Sequence, residues 1–158
     1  MGVPIPMHLD ILRTTSIFSA LDDGELARVA ETCQEQTYRT GQKIFTEGET
    51  GDRLFMVASG KVRISRMIPG SGEEALAVLQ PGACFGEMAV FDRSTRSTDA
   101  IAETDCTLIT ISRTDFETLL DFNRDLAVKV LRSVVRLLST RLRQTNDNLR
   151  AFLAMSMF

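Results

Sequence analysis

The residues with the greatest chemical capacity are concentrated in one stretch, "FGEMAVFDRSTRSTDAIA", residues 85 to 102. Gly86 permits close approach to the backbone, and a loop of small residues running from Glu87 and Met88 into Ala89 can aim several N–H groups at an anion. Arg96 supplies a fixed cationic fork suited to a phosphate, with the hydroxyls of Ser97 and Thr98 beside it. Glu87 is acceptor-only when ionised, so it calls for a hydroxyl or a cation. One carboxylate for a sugar hydroxyl and one arginine for a singly charged phosphate describe a nucleotide site. The same two residues could equally form a surface ion pair on a loop, and residue type alone leaves both readings open.

Other chemistries find little support. The single histidine, His8, is expected in an N-terminal tail, whereas metal-dependent β-barrel enzymes need several histidines converging on one site. No serine or cysteine nucleophile has a histidine base near it in sequence. The expectation is therefore no catalytic residues, no metal and no cofactor. Cys33, Cys84 and Cys106 are odd in number, with neither a CxxC pair nor a disulfide framework, and read as buried free thiols. Cys84, directly before the stretch, would stand at the mouth of any pocket there.

The elements that must position these residues fall into three zones. At 158 residues the chain is one domain, able to bury a core without disulfide or metal staples. Residues 8 to 34 read as helical: Asp22 and Glu25 form a capping-box pattern, and Leu26, Val29, Ala30 and Cys33 share one face. From 36 to 111, glycines at 41, 48, 51, 60, 70, 72 and 82 punctuate short β-prone runs, "RLFMVAS", "KVRISRM", "EALAVLQ" and "CTLITIS". Such punctuation indicates a sandwich or closed barrel. Strand alternation places Ser97 and Asp99 on the same side, where Asp99 would repel a phosphate.

Residues 112 to 158 contain neither glycine nor proline. Ser112 with Asp115 caps a short helix, and a long helix is predicted from about Asn123 to near Ala154. Within it Leu131, Val135, Leu138, Leu142, Thr145, Leu149 and Phe152 follow a 4,3 spacing, a coiled-coil seam suited to a homodimer. A second line, Leu126, Val130, Val134 and Leu137, flanks its first half and can lie against the β body. Lys129, Arg132, Arg136, Arg143 and Arg150 read as a solvated charged side.

Composition excludes several classes. A net charge of −3 offers no general attraction to nucleic acid, and no direct DNA binding by this chain is expected. No apolar run approaches the roughly 20 residues of a membrane span. The N-terminal "MGVPIPMHLD" lacks the basic region and apolar core of a signal peptide, so the expected location is cytoplasmic.

The stretch "PGACFGEMAVFDRSTRSTDAIA" resembles the phosphate-binding cassette of cyclic nucleotide-binding domains, whose pattern is close to F-G-E-[ML]-A-[VL], a short insert, then R-[ST]-A. "IFSALDDGELARVAETC" is similar to the opening helices of such domains, and "TGQKIFTEGETGDRLFMVASGKVRIS" to their first hairpins. "RLRQTNDNLRAFL" is similar to the dimer helix of catabolite-activator-type regulators. Thr98 stands where the family usually has alanine.

The resemblance implies an α+β fold: an eight-stranded antiparallel β-roll (jelly-roll) with N-terminal helices and a long C-terminal dimerisation helix. Residues 8–120 would form the nucleotide-binding roll with its flanking helices, and 121–154 the long helix of the same domain. It implies a cyclic mononucleotide ligand, cAMP in preference to cGMP. Gly86, Glu87, Met88 and Ala89 would present the cassette, Glu87 taking the ribose 2′-hydroxyl. Arg96, Ser97 and Thr98 would lie at the cyclic phosphate. Thr145 would meet the adenine 6-amino group, and Asn146 would be contributed by the second subunit. The chain would then be either the sensor part of a regulator or a domain acting on a protein partner. A ligand-free interaction module of the same fold and a cyclic-dinucleotide sensor are the alternatives, the latter wanting more basic groups than Arg96 and Arg93.

Overall fold

The glycine punctuation of the middle zone becomes the corners of a β-roll. In the computed structural model, which describes residues 5–157, the strands are Gln34–Tyr38 (β1), Lys43–Phe45 (β2), Arg53–Ser59 (β3), Val62–Ile68 (β4), Gly72–Leu79 (β5), Cys84–Phe85 (β6), Asp99–Ala102 (β7) and Cys106–Ser112 (β8). Of the N-terminal stretch considered above, residues 1–4 lie outside the described residues. β3 and β8 coincide with predicted runs, and β4 and β5 lie within two residues of theirs. The strands form two four-stranded antiparallel sheets, ordered β1-β8-β3-β6 and β2-β7-β4-β5. The β4–β5 hairpin turns through Gly70 and Gly72 at φ of 82° and 83°, a region that favours glycine.

The helices are Ile5–Thr14 (α1), Asp23–Thr32 (α2), Glu87–Asp92 (α3), Arg113–Phe122 (α4) and Arg124–Ser156 (α5). His8 therefore falls within α1 rather than in a tail. The capping box forms: the Asp22 carboxylate accepts from the Glu25 amide at 2.8 Å, and Glu25 accepts from the Asp22 amide at 3.0 Å. Ser112 caps α4 by accepting from the Asp115 amide at 3.1 Å.

The 87–92 segment, read as loop from sequence, is helical. It is bounded by Gly86 and Arg93, both left-handed, with Ala89 and Val90 buried. A six-residue helix is too short to show a 3.6-residue period, and burial of Ala89 and Val90 stabilises it instead.

Two apolar cores result. One lies between the helices and the outer face of the first sheet, around Phe18, Leu26, Leu54, Met56, Ile111, Phe116 and Leu126. The other fills the roll between the sheets, around Phe45, Phe55, Val57, Phe85 and Leu108. The two lines on α5 separate as their spacing requires: Leu126, Val130 and Val134 are buried, whereas Leu131, Val135, Leu142, Leu149 and Phe152 are exposed. Lys129 is not part of a solvated face, since its ammonium meets the buried Glu25 carboxylate at 2.6 Å. No helix among the described residues is long and apolar enough to cross a membrane.

Candidate functional site

A cavity of about 260 Å³ opens inside the roll, near the lower end of the roughly 300–1,000 Å³ typical of small-ligand sites. Phe45, Ile64, Ala77, Leu79 and Phe85 give it an apolar wall from β2, β4, β5 and β6. Its polar side comes from Gly86 to Ala89, Ser94 to Thr98, and Arg141 of α5. The predicted residues Gly86, Glu87, Met88, Ala89, Arg96, Ser97 and Thr98 thus converge on one space.

Arg96 is the centre of this polar side. It is only 5% exposed, yet it makes no ion pair among the described residues. Its guanidinium donates to the carbonyls of Gly86 at 3.0 Å and Arg53 at 2.9 Å. The Phe45 ring lies 4.3 Å beneath it and the Phe55 ring 5.6 Å away. Burial lowers its proton affinity, opposed by the more distant carboxylates of Asp52 and Glu49. A buried cation whose partners are all neutral is expensive, and an anion in the cavity would offset that cost.

The backbone holds this arginine in place. Its amide donates to Glu49 O at 2.8 Å and its carbonyl accepts from the Gly48 amide at 2.9 Å, while Thr50 bridges Thr95. Two glycines make room for the side chain. A Cβ on Gly86, whose φ is +78°, would sit 2.7 Å from Arg96 Nη1. A Cβ on Gly51 would overlap the Ala89 methyl and stand 3.0 Å from Arg96 Cζ. Gly51, read from sequence as a turn residue, is therefore a packing residue of the site.

Glu87 is 2% exposed, and its carboxylate is bonded by the Arg141 guanidinium, which also reaches Cys84 O at 3.4 Å. Sequence reading missed Arg141. The available signal was its position one helical turn before Thr145, a threonine interrupting an apolar seam.

Thr145 and Asn146 are not among the cavity-lining residues. Both are exposed on α5, where the Thr145 hydroxyl donates to Arg141 O at 2.9 Å. Within one chain, α5 contributes Arg141 to the cavity instead.

Two expectations are corrected. Asp99 does not face the cavity: its buried carboxylate accepts from the Glu47 amide at 2.7 Å and lies 3.7 Å from Lys43 Nζ. β7 begins only at Asp99, so strand alternation does not extend back to Ser97. Cys84 is not at the mouth either. It is 5% exposed within the helix-side core, and burial pushes its thiol up to about 12. Cys33, Cys84 and Cys106 are free thiols, and among the described residues no group of His, Cys, Asp or Glu side chains could hold a metal ion.

The chain is similar to known proteins over most of its length. The family model described as "Cyclic nucleotide-binding domain" matches residues 35–123. The "CRP-like cAMP-activated global transcriptional regulator" of Mycobacterium tuberculosis is 31% identical over 140 residues, covering 89% of this chain and 61% of that protein. The "Cyclic AMP receptor protein" of Thermus thermophilus is 36% identical over 135 residues, covering 85% of this chain and 61% of that protein. The chain thus spans about three fifths of the length of these relatives. The crystal structure of the N-terminal domain of a transcriptional regulator from Streptomyces coelicolor superposes with a TM-score of 0.76 at 36% identity, covering 89% of this chain and 95% of that one. More than half of the chain matches the family, and its β-roll carries at the cavity wall the stretch that resembles the family's phosphate-binding cassette, so the chain belongs to the cyclic nucleotide-binding domain family.

Proposed function

We propose that this chain senses a cyclic mononucleotide, cAMP in preference to cGMP, and passes occupancy to a partner copy through α5. The observation that carries the reading is Arg96, a buried guanidinium without a carboxylate ion-pair partner among the described residues, facing a cavity that also exposes Ser97 and Thr98. The cyclic phosphate, with its single negative charge, would lie on Arg96 and Ser97. Glu87, set by Arg141, would accept the ribose 2′-hydroxyl. The base would lie toward the apolar wall of Ile64, Ala77 and Leu79. The names of the Mycobacterium tuberculosis and Thermus thermophilus relatives both refer to cAMP, which supports the adenine preference.

The role is binding rather than catalysis. The exposed line Leu131, Val135, Leu142, Leu149 and Phe152 supports a parallel α5–α5 homodimer. In that pairing Thr145 and Asn146 would approach the base from the two helices. A ligand held jointly by the roll and by α5 favours one placement of the helix over others, which is how occupancy shifts a conformational population. Three cysteines kept as free thiols support a reducing, cytoplasmic location.

Asp99 turned away from the cavity removes the main motive for the ligand-free alternative. The test is calorimetric titration of the protein and of Arg96→Ala with cAMP, cGMP and a cyclic dinucleotide. Loss of a buried charge-assisted phosphate contact costs roughly 2–5 kcal/mol, so binding should weaken at least about tenfold in the variant. A wild-type chain that binds none of the three ligands would overturn the reading.

A further inference from the structure

Arg113, the first residue of α4, lies directly behind the cavity wall. Its Nη2 donates to the carbonyls of Gly51 and Ala89, the latter at 3.1 Å. Its backbone amide donates to Asp52 O at 2.7 Å. One side chain thus ties three segments together: the β2–β3 connection, the cassette helix α3 and the start of α4. Its Nε is buried without a hydrogen-bond partner, and it makes no ion pair among the described residues. A cation placed there at that cost needs a reason.

The reason lies one layer forward. Gly51 and Ala89, the two residues whose carbonyls Arg113 draws together, are in direct contact because Gly51 has no side chain. The Arg96 guanidinium rests against the same glycine, and a Cβ there would stand 3.0 Å from its Nε. The spacing between Gly51 and Ala89 therefore sets the floor on which Arg96 lies.

We propose that Arg113 is a positioning residue for the anion bound by Arg96, acting by clamping the Gly51 and Ala89 carbonyls so that the Arg96 guanidinium is held at one depth in the cavity. The proposal rests on the cyclic-nucleotide reading of that cavity. Burial is the main cause of the lowered proton affinity of Arg96, and the nearby charge of Arg113 adds to it in the same direction. The same proximity puts a second positive charge behind the phosphate.

The test is titration of the full chain and of Arg113→Met with cAMP, joined to phosphorus NMR of the bound nucleotide. The expected result is an affinity at least about tenfold weaker, with the bound phosphorus resonance displaced from its wild-type position. Should Arg113→Met lack a cooperative unfolding transition, Arg113→Lys is compared in its place. Lysine keeps the charge but not the planar fork, so a smaller loss with a displaced resonance is expected. Unchanged affinity in the folded variant overturns the proposal. Weakened affinity with an unmoved resonance overturns it too, because the phosphate would then sit as before. If the wild-type chain itself binds no cAMP or cGMP, the cyclic-nucleotide reading fails first and takes the proposal with it.

Discussion

Arg141 on α5 bonds the carboxylate of Glu87 on α3, so the long helix and the cavity wall share one ion pair across 54 residues of sequence. The Glu87 side chain is 3% exposed and that of Arg141 is 42% exposed. The asymmetry decides what happens when either is lost. Arg141→Ala leaves a buried carboxylate without its partner and should destabilise the protein by about 1–3 kcal/mol, less than a fully buried pair because water already reaches Arg141. Adding Glu87→Gln should restore most of that loss, since the buried group is then neutral. Urea unfolding of the two single variants and the double variant measures the coupling. Equal, additive losses would mean the pair contributes nothing to the fold.

Gly51→Ala should damage both stability and binding. Its φ is not in the left-handed region, so backbone strain is not the cause. The added methyl would meet the Ala89 side chain and the Arg96 guanidinium. Overpacking of this kind costs roughly 1–3 kcal/mol. Thermal unfolding reports that cost, and titration with cAMP should show weakened binding. Gly41→Ala makes a useful control, because it is strained at φ +86° but has open space around it. It should lower stability without weakening binding.

The exposed line on α5 predicts an assembly that can be dissociated without unfolding. Leu142→Glu combined with Val135→Glu places charges at two positions that are each 62% exposed in the single chain. The fold should survive, because neither residue belongs to the buried line of Val130 and Val134. Sedimentation velocity should show a dimer for the wild type and a monomer for the variant. A wild-type monomer at all accessible concentrations would remove the seam from the mechanism.

Thiol reactivity and alkaline stability should follow burial. Cys33 and Cys84 are both pushed up to about 12 from the ordinary 9.0, in each case by desolvation. At pH 8 the native chain should resist alkylation at these two residues, and both should react once unfolded in urea. Between about pH 9 and 12 the unfolded chain releases thiol protons that the folded chain keeps. Their contribution to stability is therefore complete below 9.0 and falls as pH rises toward 12. Rapid native labelling of Cys84 would place it at the surface and contradict its position in the core.

Much of the roll was legible because its signals are local. β3 is an apolar run set between Gly51 and Gly60, β8 alternates β-branched Thr and Ile residues, and the capping residues Asp22 and Ser112 announce their helices within four positions. Polar β1, "QEQTY", and the two-residue β6 carry no comparable signal and exist through their partners β8 and β3. Within the site, the predicted contributors from Gly86 to Thr98 were legible as a contiguous pattern of chemical types. Arg141, Gly51 and Arg113 were not, because each acquires its role only when a distant segment folds against it. Arg141 looks like any other charged residue on α5, and Arg113 like a first-turn helix residue. Asp99 shows the opposite error: a local rule, alternation, was carried two residues past the start of the strand that obeys it.

The geometry of α5 gives the ion pair a mechanical meaning. The body of the protein grips the helix through Leu126, Val130 and Val134, and the last chain-internal tie to the cavity is Arg141. From Arg141 to Ser156 the helix runs on for roughly 22 Å at about 1.5 Å per residue. Over that length a tilt of about 10° displaces the far end by roughly 4 Å. In the proposed switch, a sub-ångström adjustment at Glu87 would thereby be magnified with distance, making α5 a lever arm whose fulcrum lies at the cavity.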